Sequence, residues 1–304
     1  MRERRVNLFV VGAMRAGTTS FMHFLSQQSN IYACPIKEPH FFMDELPKSL
    51  YTPGFFNLNS YLKKAPLKPL HIAKVNRLED YELLFAAAEE EHTYLAEAST
   101  AYLHSPDSAG KIQQYNAEAK IVIMLRDPLE RMISHYKMDV GLGRVTKSFQ
   151  QIAEEEIKKY EMGNLPWYSC LSMSFYDAAI KRYQEHFKEV LILFLEDFKK
   201  EPKINSITIS EFLKIDINKI SFFENKNSSK EIRTKTLLYW SRKLNVKPLF
   251  SKILPIKLRH YFFRRIVSTK NRRSLEITAQ TVSKLQTIFE KENTIYYSQN
   301  TGIT

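Results

Sequence analysis

Three uninterrupted apolar runs constrain this chain more than any other feature: LFVV at 8–11, IVIML at 121–125 and VLILFL at 190–195. A strand with one wet face alternates apolar and polar residues. A strand that is apolar throughout has to be covered on both faces, as in a parallel sheet sandwiched between helices. The predicted strands are Asn7–Val11, Ile31–Cys34, Tyr94–Glu97, Ile121–Leu125 and Val190–Leu195, with helical patterns between them. The predicted fold is therefore α/β, three layers deep (α/β/α), with a central, mainly parallel five-stranded sheet and a helical C-terminal part after about residue 200. No repeat, low-complexity tract or Gly/Ser linker interrupts the 304 residues, so one domain over 1–304 is expected.

Helix punctuation fits this alternation. Thr19–Gln28 places Phe21, Phe24 and Leu25 on one face. Ser105 as cap with Pro106 at the first helical position predicts a helix over Ser105–Ala117. Asp127, Pro128 and Glu130 have the order of a capped start after the IVIML strand. Further helices are predicted at Thr234–Leu244 and Thr278–Glu292.

A formal charge of +12 favours polyanionic or multiply phosphorylated partners. The basic residues are spread along the chain, so charge alone leaves open a nucleic-acid binder and an enzyme for an anionic nucleotide. Cys34 and Cys170 stand apart from each other and from any Cys/His cluster, which argues against a disulfide framework and a zinc site. The apolar run Leu8–Val11 is too short for a secretion signal or a membrane span, so a cytoplasmic protein is expected.

Glycine is scarce, eight in the whole chain, yet Gly12 and Gly17 fall in one segment, NLFVVGAMRAGTTS at 7–20. A buried strand, a tight loop and a helix start would aim backbone N–H groups and the positive end of a helix at one point, a natural seat for phosphate or sulfate. The spacing is P-loop-like, close to GxxxxGK[ST], but Thr18 stands where the Walker lysine would be, and the cation sits inside the loop at Arg15. A second segment, KIVIMLRDPLERMISHYKM at 120–138, delivers Arg126 to a strand's C-terminal end, where open α/β sheets bind ligands, with Ser134 eight residues on.

GAMRAGTTS is similar to the 5′-phosphosulfate loop (GxxKxGTT) of sulfotransferases that use 3′-phosphoadenosine 5′-phosphosulfate (PAPS), with Arg15 in place of lysine. The resemblance implies that Arg15, Ala16, Gly17, Thr18, Thr19 and Ser20 hold the phosphosulfate. It also implies that Arg126 and Ser134, which match the family's 3′-phosphate segment, hold the other end. Thr269–Gly302 is similar to the end of heparan sulfate 3-O-sulfotransferases, whose Lys-Gly-Arg loop closes over PAPS. Lys270, Asn271 and Arg272 match that loop, and Phe289, Asn293 and Gly302 the tail. Ser174 is carried over as a PAPS contact, although Met173 replaces the family's arginine.

Sulfuryl transfer needs an in-line nucleophile, charge stabilisation at the leaving oxygen and a base for the acceptor proton. KEPHFF at 37–42 resembles the family's Glu-x-His-Phe-Phe, which implies Glu38 as base and His40 as positioning group or alternative base. From the residues alone, a Glu beside Lys37 is usually a solvated surface residue, a His before two Phe is often half-buried, and His104 reads as a surface histidine. AEASTAYL at 96–103 matches another family segment, but Ala98 stands where some relatives carry a catalytic lysine, which leaves Arg15 with the charge. The resemblance implies PAPS as co-substrate, adenosine 3′,5′-bisphosphate as product, no metal, no nucleic-acid partner, and a small-molecule or carbohydrate acceptor. The alternatives are a P-loop-type kinase, which would need the missing Walker lysine, and a basic nucleic-acid-binding protein.

Overall fold

The computed structural model describes residues 4–51, 56–217, 231–232, 239–240, 243, 268–269 and 276–300. In chain order these form β1 (Leu8–Gly12), α1 (Thr18–Leu25), β2 (Ile31–Ala33), α2 (Leu58–Leu62), α3 (Leu78–Leu83), β3 (Tyr94–Ala98), α4 (Ser108–Tyr115) and β4 (Lys120–Leu125). There follow α5 (Pro128–Gly141), α6 (Phe149–Glu161), α7 (Asp177–His186), β5 (Val190–Phe194), α8 (Leu195–Lys200) and α9 (Pro202–Leu213). A two-residue pair, β6 (Glu231–Ile232) and β7 (Ser268–Thr269), precedes α10 (Ala279–Glu292) and α11 (Thr294–Asn300). The chain divides into two compact units, one of Met1–Asp127, Tyr176–Glu224 and Asn293–Thr304, the other of Pro128–Phe175 and Asn225–Glu292.

The first unit holds a five-stranded sheet in the order β2-β3-β1-β4-β5. Every neighbouring pair is parallel, so the sheet is wholly rather than mainly parallel. Two of the three apolar runs, β1 and β4, lie inside with β3 and are buried along their whole length. The third, expected to be covered on both faces, forms the edge strand β5, which is buried only at Leu193 and Phe194 because it has a neighbour on one side only. From β1 the chain moves over β3 to β2 by way of α1; from β3 it moves the other way, over β1 to β4, by way of α4. Right-handed crossovers in opposite directions put α1 and α4 on opposite faces, which gives the three layers. Contacts agree: Phe21 of α1 packs on Phe198 of α8 at 6.2 Å, while Tyr115 of α4 meets Tyr81 of α3 at 5.9 Å and Gln113 donates to the His186 carbonyl at the end of α7.

The second unit has its own core. A capping box of Ser148 and Gln151 starts α6, and α6 is tied to α10 by bonds from Gln150 to Thr281 (2.7 Å) and from Tyr160 to Glu292 (2.6 Å). At its centre Arg131 is fully buried, donating through Nε to Ser174 Oγ at 2.7 Å and through its fork to the Cys170 carbonyl.

Helix starts fall within one residue of the sequence reading at α1 and α10 and differ more at α4. α4 begins at Ser108, not at Ser105, because the Ser105 N–H donates back to the Ala101 carbonyl and the chain is still turning through Pro106. α10 starts one residue inside the predicted Thr278–Glu292 and ends where predicted. The predicted helix Thr234–Leu244 lies outside the described residues except at 239, 240 and 243. Among the described residues no helix is long and apolar enough to cross a membrane.

Candidate active site

The chain leaves β1 toward one side of the sheet and β4 toward the other, so the C-terminal ends of these neighbouring strands flank the crevice where α/β sheets take ligands. Gly12 ends β1 against the turn after β3: a Cβ there would lie 2.5 Å from Leu103 Cβ and 3.2 Å from the Thr100 carbonyl. The loop folds on itself, with the Ala16 N–H donating to the Ala13 carbonyl at 3.1 Å, and Ala13 is pinned to β4 by a 2.6 Å bond to the Met124 carbonyl. Gly17, at φ +86°, turns the chain into α1 with no room for a side chain, since a Cβ would meet Leu195 Cδ1 at 2.6 Å. No acidic residue occupies the first turn of α1, whose leading N–H groups have no intrahelical acceptors. The donors and charge suit an anion.

Arg15 adopts φ +74°, a left-handed conformation that a side chain rarely takes and that recurs where function over-determines the backbone. Arg126, just past β4, donates to the Arg15 carbonyl at 3.4 Å, so the two predicted anchors meet across the switch point. Behind them, the Tyr176 hydroxyl donates to the Arg126 carbonyl, and the Asp127 N–H donates to Glu196.

Glu38 and His40 follow β2 and share the unusual geometry, at φ +84° and +50°. Glu38 Oε2 accepts from both the N–H (3.2 Å) and the hydroxyl (2.8 Å) of Thr100, and Oε1 lies 3.2 Å from Lys37 Nζ. Burial alone would push this carboxyl up; Lys37, His40 and the Thr100 hydroxyl outweigh it and hold it down at about 2, so Glu38 is ionised at any working pH. His40 Nε2 is 3.4 Å from Glu38 Oε2, but burial keeps the imidazole down at about 4 and therefore neutral, and its buried Nδ1 has no hydrogen-bond partner. His71 feels both loops: burial pushes its imidazole down, the Glu38 charge pulls it up, and Lys37 and Arg15 push it further down.

Residues distant in sequence hold the 38–42 loop. Lys74 donates to the His40 and Met43 carbonyls at 3.1 and 2.7 Å. The Ala73 and Val75 N–H groups donate to the Glu38 and Pro39 carbonyls. Ser99 Oγ accepts the His40 N–H at 3.0 Å and the Tyr102 hydroxyl accepts the Phe42 N–H at 3.1 Å, while Phe41 stacks on Tyr81 at 4.5 Å. Sequence reasoning missed Thr100, His71 and Lys74. Thr100 lay within the AEASTAYL match, but nothing in the order of residues pairs 70–75 with 35–39.

In the second unit, Ser134 is buried on α5. Ser174 is also buried, and its hydroxyl is engaged within the unit by Arg131 Nε and the Cys170 carbonyl, so in this conformation it supports Arg131. His135, Asp139 and Cys170 bring donor atoms within 4.8 Å of one another. That cluster already contains cations: Arg144 bonds Asp139 at 2.9 Å and Arg131 faces His135 Nδ1 at 3.5 Å, while burial pushes the Cys170 thiol up and keeps it protonated. Lys270, Asn271, Arg272 and Gly302 lie outside the described residues. In the tail match, Asn293 is buried and accepts from the Tyr176 N–H at 2.8 Å. His104, expected at the surface, is buried at 8% exposure in the turn after β3.

Comparisons with known proteins give the same reading. The sulfotransferase domain family model matches residues 5–294. The membrane-associated sulfotransferase kil1 of Dictyostelium discoideum is 25% identical over 189 residues, covering 60% of this chain and 32% of that protein. The bifunctional heparan sulfate N-deacetylase/N-sulfotransferase 3 of Mus musculus is 25% identical over 206 residues, covering 64% of this chain and 20% of that protein. The matched part is thus about a third and a fifth of the length of these two relatives. A crystal structure of a sulfotransferase from Alicyclobacillus acidocaldarius superposes with a TM-score of 0.59 at 24% identity, covering 94% of this chain and 96% of that one, which establishes the fold. With the family model spanning nearly all of the sequence and its fold found in the structure, the chain belongs to the sulfotransferase domain family.

Proposed function

We propose that the chain, acting as a single catalytic domain over 1–304, transfers a sulfuryl group from PAPS to a hydroxyl or amine of a small-molecule or carbohydrate acceptor by in-line displacement. PAPS would supply the activated sulfuryl group and leave as adenosine 3′,5′-bisphosphate. The observation that carries this reading is the bond from Arg126 to the Arg15 carbonyl at the β1/β4 switch point, beside a helix start free of acidic residues.

Arg15, the backbone of Ala16–Ser20 and the start of α1 would hold the phosphosulfate and stabilise negative charge as the leaving oxygen departs. Arginine keeps its charge throughout and can donate two parallel bonds, so it can replace the family's lysine in this role. Arg126 would take the 3′-phosphate. The sequence match alone assigns Ser134, Ser174 and the Lys270–Arg272 segment to the same nucleotide.

Glu38 is favoured over His40 as the group that receives the acceptor's proton. It is ionised, it is the more exposed of the two at 12% against 2%, and Thr100 aims one of its oxygens. His40, neutral and buried, would orient it. Two buried, unlinked cysteines are in keeping with a reducing cytoplasmic setting.

The test is transfer of radiolabel from sulfur-labelled PAPS to a panel of phenols, amino sugars and simple alcohols. Labelled product with any acceptor is expected, and it should disappear in Glu38→Gln. A wild-type protein that neither binds nor consumes PAPS would end the proposal.

A further inference from the structure

Glu97 is the penultimate residue of β3, opposite Phe9 of β1, and is fully buried. Its hydrogen-bonding partners are hydroxyls: Tyr81 donates to Oε2 at 2.9 Å, Ser99 donates to Oε1 at 2.6 Å, and Tyr102 is the third. Two of these partners continue to the loop that carries the base, since Ser99 accepts the His40 N–H and Tyr102 accepts the Phe42 N–H. A serine hydroxyl has one hydrogen. Once Ser99 has given it to Glu97, only its lone pairs face the loop, and these suit a backbone N–H, which can only donate. The carboxylate therefore fixes the direction of the bond that reaches His40. A carboxylate is an expensive group to bury, and packing β3 against β1 and β2 does not need one.

We propose that Glu97 is a positioning residue for sulfuryl transfer: through Ser99 and Tyr102 it holds the loop of Glu38 and His40 in its left-handed backbone conformation, with the Glu38 carboxylate presented to the acceptor. The proposal rests on the functional reading above. It makes the rate depend on the charge of Glu97. Burial pushes this carboxyl up to about 7, against the pull of Ser99, Tyr81 and Tyr102, with the Glu38 charge adding to the rise. The other titratable groups facing it keep their protons: Cys34 at the end of β2, Tyr81, Tyr102, Tyr115 of α4 and Tyr183 of α7 are all pushed up by burial. A proton on Oε1 would donate to Ser99 and displace the serine's hydrogen from the carboxyl, so the direction of the Ser99 hydroxyl, and with it the bond from the His40 N–H, is no longer fixed. Activity should rise with pH through neutrality as Glu97 ionises.

The experiment measures consumption of sulfur-labelled PAPS across the neutral range for wild type, Glu97→Gln, Ser99→Ala and the double variant. The acceptors are p-nitrophenol and glucosamine, with water as the default, and affinity for adenosine 3′,5′-bisphosphate is measured alongside. Each single variant should lose about tenfold in rate with nucleotide affinity unchanged, and the double variant should be no worse than either, as for residues acting through one bond. Glu97→Gln should also lose the rise through neutrality. A Glu97→Gln protein with the wild-type rate and pH profile overturns the proposal. If that variant does not fold, Ser99→Ala decides, and a rate within about twofold of wild type overturns it. A wild type that binds no adenosine 3′,5′-bisphosphate removes the functional reading, and this proposal with it.

Discussion

The loop after β1 and the loop after β2 would hold opposite ends of the transfer, and they are built differently. The first is shaped largely by its own residues: Gly12 and Gly17 supply the turns, Ala16 bonds back to Ala13, and α1 follows at once. The second has two positions whose conformation depends on outside help. Glu38 and His40 each carry positive φ, at about 1–3 kcal/mol apiece, and Thr100, Ser99, Tyr102 and Lys74 hold them there. An anion cradle can thus be local, because backbone N–H groups and a helix end would do the binding. A base needs a fixed direction toward a second substrate, and in the proposed role of Glu38 that direction would be set by side chains far away in sequence.

The sharpest way to break this comparison is Glu38→Gln, which should lower turnover by about 10²–10⁴-fold and leave nucleotide affinity intact. Loss of both would mean that the two loops are one device. The next effect lies in stability. Glu97 keeps its proton up to about 7 in the folded chain against an ordinary value of 4.5, so its contribution is fully present below 4.5 and is lost as pH rises through 7. That amounts to about 3 kcal/mol. Glu38, held down at about 2, acts with the opposite sign and only below 4.5, whereas His40, held down at about 4 against an ordinary 6.5, acts with the opposite sign within the same window. The difference between wild type and Glu97→Gln therefore isolates Glu97: the variant should gain stability with rising pH over this segment where the wild type does not.

Gly12→Ala should cost about 3 kcal/mol, because its Cβ would press on Leu103 Cβ, close to the backbone, and on the Thr100 carbonyl. Gly17→Ala should cost about 1–2 kcal/mol, since only the tip of Leu195 must move and the rest is left-handed strain. Unlike Glu38→Gln, it should also weaken nucleotide binding. Thr100→Val, which keeps the backbone donor and removes the hydroxyl, should give the smallest change, about tenfold in turnover by steady-state kinetics.

The same contrast governs what could be read in the sequence. The sheet was legible because LFVV and IVIML carry their burial in their composition, while VLILFL reads as a strand but does not announce that it lies at the edge. The turn from β1 into α1 was legible because two scarce glycines and a helix start sit within a few residues of one another. Arg126 was legible as the residue that follows a buried strand. The setting of Glu38 was not: Thr100 lies 62 residues away, and the pairing of 35–39 with 70–75 has no periodicity to announce it. Ser174 matched a family position, yet only the structure places its hydroxyl on Arg131. The start of α4 was misplaced because Ser105 and Pro106 have the local grammar of a helix start, while the bond from Ser105 to Ala101 keeps the chain turning for three more residues.

The central claim is that Arg15 and Arg126 anchor two phosphorylated ends of one nucleotide. Titration calorimetry with adenosine 3′,5′-bisphosphate on wild type and Arg126→Ala tests it most directly. The account predicts clear binding by the wild type and a loss of at least about tenfold in the variant, the effect of removing a charge-assisted contact to phosphate. Equal affinity in the two proteins, or none in the wild type, would contradict it.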